Sequence, residues 1–323
     1  MEPKLIPYHI LQSPLTFANK LLTRKYNNEE PKSPLIMIVG APRTGSTITY
    51  QMMSHAFDTF YMSNYLELFF SSSYLMSFRY DKKIGQGHQS FTSDFGQTKG
   101  LSSPNEAENF WCQWFPHDRH YVARDELSAR KKKSMKLAVT ALINKYNKPF
   151  LCKNLSNGQR LAALYKVFPD MIVVHCVRNP LDTAISILDG KEKFKGDRKQ
   201  WFGVKPENFQ ELSEKPVMQQ IAEQIYFVEE RVYQDAMKYG QKRYIQLDYD
   251  ELLENPQMHM ELLNEKLQHL GLDIKKQSIQ VDQIRKSNKR SNILDDDRKL
   301  LMEEILKVNI NFSPSCWSRY DIR

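Results

Sequence analysis

Residues 38–51 read "IVGAPRTGSTITYQ", and the spacing within this stretch decides the fold. An apolar run, "LIMIV" (35–39), ends in a glycine, and Gly40, Gly45 and Thr47 fall on the positions of the phosphate-binding pattern G-x-x-x-x-G-K-[ST]. A strand, a glycine turn and a helix opening at Ser46-Thr47 would aim several free backbone N–H groups and the positive end of the helix dipole at an anion. Gly45 permits the close backbone approach that such a cradle needs. The departure is at Ser46, where the pattern has the lysine that reaches the β- and γ-phosphates of a nucleoside triphosphate. Arg43 brings a cation into the loop instead. The stretch therefore predicts a working anion site with a different phosphate ligand.

Around it, four more short apolar runs read as buried strands: "TFYM" (59–62), "PFLC" (149–152), "MIVVHCV" (171–177) and "RYIQL" (243–247). Helical patterns fill the intervals at 46–57, 64–79, 104–115, 124–146, 157–168 and 180–189. This alternation predicts a three-layer, P-loop-like α/β fold, with a central, mostly parallel sheet of about five strands flanked by helices. The 323 residues read as one domain, with an N-terminal extension over 1–33, a core over 34–272, and a C-terminal loop and helix over 273–323. Polar stretches near 81–103 and 190–215 are long for connections in a compact domain and read as insertions over the site. In such a sheet, ligands bind outside the carboxyl ends of the strands. The residues following the five runs ("GAPRTG", "SNYLE", "KNLS", "RNP" and "DYDE") are conspicuously polar and are candidates for one site.

Hydrophobic residues make up 41% and charged residues 26% of the chain, the balance of a soluble globular protein. The net charge of +8 favours an anionic ligand. Cys112, Cys152, Cys176 and Cys316 show no regular spacing, which argues against a disulfide framework or a zinc site and for a reducing, cytoplasmic setting. His117 and His120 in "PHDRH" lack a third ligand nearby and read as surface residues, so no metal is expected. No apolar run of about 18 residues occurs, so no membrane anchor is expected. The first residues also lack the continuous apolar core of a signal peptide.

A second motif follows the fourth run: Arg178-Asn179-Pro180, then "LDTAISIL". Asn179 is a good N-cap and Pro180 fixes the first helical turn. Leu181, Ala184, Ile185 and Leu188 form the buried stripe, and Arg178 at the strand end with Ser186 eight residues on could both reach one phosphate.

Together, "PRTGST" and "RNPLDTAIS" resemble the sulfotransferases that use 3′-phosphoadenosine 5′-phosphosulfate (PAPS) as donor, as do "FPDMIVVHCVRNP", "YIQLDYDELLENP" and "LLNEKLQHLGL". The resemblance covers roughly residues 34–272. It implies that Arg43, Thr44, Gly45, Ser46 and Thr47 bind the 5′-phosphosulfate, that Lys153 lies beside the sulfuryl group, and that Arg178 and Ser186 hold the 3′-phosphate. The implied reaction is in-line transfer of a sulfuryl group to an acceptor hydroxyl or amine, without obligatory metal. Arg43 and Lys153 would stabilise charge on the leaving phosphate. No Walker lysine is needed, because no γ-phosphate moves.

One departure matters: many family members carry a catalytic histidine two residues after that lysine, and here the position is Leu155. Another branch uses a glutamate after the second strand, which implies Glu67 as general base, with His88 and Glu106 in reserve. Within "IRKSNKRSN" (284–292), Lys286, Lys289 or Arg290 could touch the 3′-phosphate. Phe91, Phe95, Trp111 and Trp114 either line an acceptor pocket or belong to the core. A small-molecule or carbohydrate acceptor is expected, and the sequence leaves sugar, lipid, small alcohol and peptide all open. Two rival readings stand. A P-loop kinase or NTPase would require a lysine at position 46 and an acid such as Asp248 for Mg²⁺. A nucleic-acid-binding protein would require basic and aromatic residues spread over one surface, whereas here the polar residues collect at strand ends.

Overall fold

The structure, a computed structural model, describes residues 6–83, 93–94, 97–274 and 293–320. Five strands, β1 (Leu35–Gly40), β2 (Phe60–Tyr61), β3 (Phe150–Lys153), β4 (Ile172–Val177) and β5 (Tyr244–Asp248), form one sheet in the order β2-β3-β1-β4-β5. Every adjacent pair is parallel. The expected α/β architecture is the observed one, and each of the five apolar runs became a strand.

The sheet is buried on both faces, which is why its strands read as continuous apolar runs. Ile36 and Ile38 of β1, with Ile172, Val174 and Cys176 of β4, pack against helices Ser46–Ala56 and Pro256–His269. Leu35, Met37 and Val39, with Val173, face the opposite layer, built from helices Ala129–Tyr146 and Leu161–Val167 and part of Val217–Gly240. A third cluster joins helices Pro180–Gly190, Val217–Gly240 and Asp295–Phe312 to Val177, which ends β4, and to Ala41, just past β1.

Register places the site. Ile38 pairs with Lys153, Gly40 with Cys176, and Val177 with Asp248, so the ends of β1, β3, β4 and β5 meet along one edge.

The helices differ more from expectation. The span 64–79 divides into Asn64–Leu68 and Ser73–Lys83 around a short 3₁₀ turn, Phe70–Ser72. Of 104–115 only Glu108–Cys112 is helical, because Pro104 bridges to Ser63 and Ala107 adopts a left-handed φ of 56°. Helix Ala129–Tyr146 begins where Ser128 caps the backbone N–H of Lys131, five residues later than the apolar pattern implied. The first insertion contains a two-stranded hairpin, Ser93–Asp94 with Gln97–Thr98.

Candidate active site

The loop after β1 turns back through two left-handed residues, Arg43 at φ 72° and Gly45 at φ 78°. Glycine is required at the second, since a Cβ there would stand 1.9 Å from the Tyr249 ring. Thr44 is buried and donates its hydroxyl to the Ala41 carbonyl at 2.8 Å, which fixes the turn from inside. Gly45 then opens the Ser46–Ala56 helix with no side chain capping it. The contrast with the Pro180–Gly190 helix is direct: there Asn179 Oδ1 accepts from Leu181 N at 3.0 Å and Asp182 N at 3.3 Å. The first helix start lacks a side-chain cap, the condition under which its N–H groups can meet an anion, and the second satisfies them internally.

The two motifs meet. Arg43 Nε donates to Ser186 Oγ at 3.0 Å, and Arg178 Nη1 donates to the Arg43 carbonyl at 3.5 Å. The Arg178 guanidinium lies 4.8 Å from the centroid of the Tyr249 ring, and its Nε is buried without a partner among the described residues. Burial, and then the neighbouring Arg178, lower the pKa of Arg43. Two guanidiniums held this close favour a bound anion. Sequence reasoning missed Tyr249; its only signal was its place directly after the last strand.

On the other side of the loop stands Lys153, 2% exposed at the end of β3. Its ammonium donates to Thr47 Oγ1 at 3.1 Å and pairs with the Glu106 carboxylate. Asn154 Nδ2 donates to the Glu106 carbonyl at 3.2 Å and to Glu108 Oε2 at 2.7 Å, so the residue after Lys153 fastens the same acidic segment to the sheet edge. Leu155 packs at the margin of the third apolar cluster and offers no base.

Glu67 lies on the short Asn64–Leu68 helix, 9% exposed. Its Oε1 accepts from the Asn109 backbone N–H at 2.7 Å, at the start of the Glu108–Cys112 helix, while Oε2 is buried without a partner among the described residues. Burial pushes its pKa up to about 7, against the opposing pull of Asn109. Glu67 thus supports the segment bearing Glu106 and has no hydrogen bond to Lys153.

Asp248 is a helix cap. Its Oδ1 accepts from Asp250 N at 2.8 Å and Glu251 N at 3.1 Å, and its Oδ2 accepts from the Tyr320 hydroxyl and from Arg319 Nη1 at 3.3 Å. The acid that a Mg²⁺–triphosphate site would need is committed elsewhere. Trp111 and Trp114 are core residues, 0% and 5% exposed. His120 is half-buried rather than on the surface: its Nδ1 accepts from Lys205 N at 3.0 Å, and burial pushes its pKa down to about 4. It helps line a groove of about 570 Å³ with Phe194, Trp201, Phe202, Lys205 and Phe209. Gly203 of that groove packs on Pro42, beside Arg43. His88, Phe91, Phe95, Lys286, Lys289 and Arg290 lie outside the described residues. Among the described residues, no group of three His, Cys, Asp or Glu could hold a metal ion, and no helix is long and apolar enough to cross a membrane.

A profile of the sulfotransferase family matches residues 34–275, and the chain belongs to that family. The fold recurs in the crystal structure of sulfotransferase STF9 from Mycobacterium avium, at 14% identity and a TM-score of 0.53, covering 91% of this chain and 81% of that one. It recurs also in sulfotransferase STF1 from Mycobacterium tuberculosis H37Rv, at 15% identity and a TM-score of 0.51, with the same coverage. No curated protein matches the chain.

Proposed function

We propose that this protein transfers a sulfuryl group from PAPS to the hydroxyl or amine of a small-molecule or carbohydrate acceptor. One observation carries the reading: Arg43 Nε on Ser186 Oγ ties the loop after β1 to the helix after β4, making one cationic cradle from two separate motifs. The uncapped helix at Ser46, the Arg178 Nε without a partner among the described residues, and the left-handed turn at Arg43 and Gly45 suit a nucleotide with two phosphate-bearing ends. Arg43, Thr44, Gly45, Ser46 and Thr47 would hold the 5′-phosphosulfate, and Arg178 with Ser186 the 3′-phosphate. Tyr249 would flank the base or ribose.

The donor supplies an activated sulfuryl group; the protein supplies position and charge. Lys153, buried, and Arg43, half-buried, would face the place where negative charge grows on the leaving phosphate, and withdrawal from water strengthens both. The acceptor's proton must go to a base in the acidic wall formed by Glu67, Glu106 and Glu108. The groove beside Pro42 offers aromatic surface for the acceptor. Four free, buried cysteines fit a cytoplasmic protein.

The test is ligand-induced stabilisation. Adenosine 3′,5′-bisphosphate at a hundredfold excess over its Kd should add about 2.7 kcal/mol, a rise of several degrees in Tm. ATP with Mg²⁺ should add much less. Equal stabilisation by ATP, dependent on Mg²⁺, would favour a kinase or NTPase.

A further inference from the structure

The Lys153 ammonium, on the reading above the group that meets the donor's sulfonate, already has a carboxylate seated on it. That carboxylate belongs to Glu106, which is half-buried and reaches the site from a loop rather than from the sheet. Lys153 itself is 2% exposed and is fixed on its other side by Thr47 Oγ1 at 3.1 Å. Thr47 belongs to the anion-binding loop, so carboxylate, ammonium and loop hydroxyl form a chain that ends where the 5′-phosphosulfate would sit. A buried ammonium needs an anion beside it, and a carboxylate and a sulfonate oxygen are competing candidates for one seat.

We propose that Glu106 occupies the sulfonate's seat in the free protein, is displaced from Lys153 when the donor binds, and then acts as the general base. This rests on the PAPS reading and sharpens it. Glu106 can move without unfolding its surroundings, because its backbone is anchored separately: Asn154 Nδ2 holds its carbonyl at 3.2 Å, and the left-handed Ala107 starts the turn into the Glu108–Cys112 helix. Glu67, bonded to Asn109 N at 2.7 Å, fixes the far side of that turn and is a positioning residue. The chemistry balances as follows. The acceptor O–H breaks and its proton passes to the Glu106 carboxylate, while the acceptor oxygen forms a bond to sulfur. The bond between sulfur and the bridging phosphate oxygen breaks, and its electron pair stays on the phosphate, beside Lys153 and Arg43. Glu106 then returns the proton to water and settles back on Lys153.

Displacement makes an unusual demand: removing Glu106 should tighten donor binding. We expect Glu106→Gln to bind PAPS about 3- to 10-fold more tightly by calorimetry, since a competing charge-assisted contact is gone. The gain should be smaller for adenosine 3′,5′-bisphosphate, which lacks the sulfonate, and absent in a Lys153→Met background, where nothing remains to compete for. In the same variant, turnover of labelled PAPS with acceptors drawn from a panel of phenols, alcohols and sugars should fall about 10²–10⁴-fold. Glu106→Asp retains the charge on a shorter arm and serves as the folded control, with an intermediate loss. Weaker PAPS binding by Glu106→Gln would mean that the carboxylate only pre-positions Lys153, and would overturn the displacement. Undiminished turnover would overturn the base. Failure of the native protein to bind adenosine 3′,5′-bisphosphate would instead sink the PAPS reading, and is read separately.

Discussion

The two flanks of the loop at residues 41–47 are built on opposite principles. On the β4–β5 flank, Arg43 and Arg178 sit together with Ser186 and Tyr249, and the Arg178 Nε has no partner among the described residues. On the β3 flank, Lys153 is already matched by Glu106, and Asn154 holds Glu108 close by. On the proposed function, the first flank would be a preformed receptor whose cost in charge repulsion a ligand relieves. The second would be a closed circuit that ligand must open. A binding subsite can remain vacant and rigid, whereas a reacting subsite needs a partner that leaves.

That contrast can be broken most decisively at Glu106. Its replacement by Gln should separate the flanks outright, with turnover down about 10²–10⁴-fold and donor affinity raised rather than lowered. A parallel loss of both would make the two flanks alike.

The next largest effect concerns Glu67 and pH. Its folded pKa of about 7 stands above the ordinary 4.5, so the fold favours the protonated form. Its contribution is fully present below pH 4.5 and is lost as pH rises through 7, a change of about 3 kcal/mol in order of magnitude. Glu67→Gln should flatten this part of the stability–pH curve in chemical denaturation. An unchanged slope would show that Oε2 is solvated in solution.

On the cationic flank, Arg178→Ala should weaken adenosine 3′,5′-bisphosphate by about 1.5–3 kcal/mol while leaving an analogue without the 3′-phosphate nearly unaffected. Equal losses for both nucleotides would remove Arg178 from the 3′-phosphate. Ser186→Ala should produce the smallest change, about 0.5–1.5 kcal/mol, because it removes a neutral hydroxyl that also steadies Arg43.

The same contrast governs what the sequence could disclose. The cationic flank is written in two short runs, where a turn pattern and an eight-residue spacing on one helix define the geometry locally. Strands were legible for a similar reason: burial on both faces leaves an uninterrupted apolar run. The acidic flank joins Lys153 to Glu106, 47 positions apart in sequence, through an irregular segment with no period to read. Glu67 was expected to be the base from its place after β2. Its location near the strand ends could be inferred, but not that its carboxylate would face the Asn109 N–H. Helices 64–79 and 104–115 were overextended because apolar spacing does not register a left-handed Ala107 or a break at Phe69.

The tether from Tyr320 and Arg319 to Asp248 has a consequence for the order in which the molecule is made. Asp248 caps the turn that carries Tyr249 over the Gly45 loop, so one wall of the proposed cleft is braced by residues about seventy positions further along the chain. Domains take shape from the N-terminus as they leave the ribosome. The loop after β1 would therefore emerge, and could fold against β4, well before its brace exists. On the proposed function, a nascent chain halted between β5 and residue 319 would hold the cleft's floor without its clasp, and would grip nucleotide loosely until Tyr320 has left the ribosome.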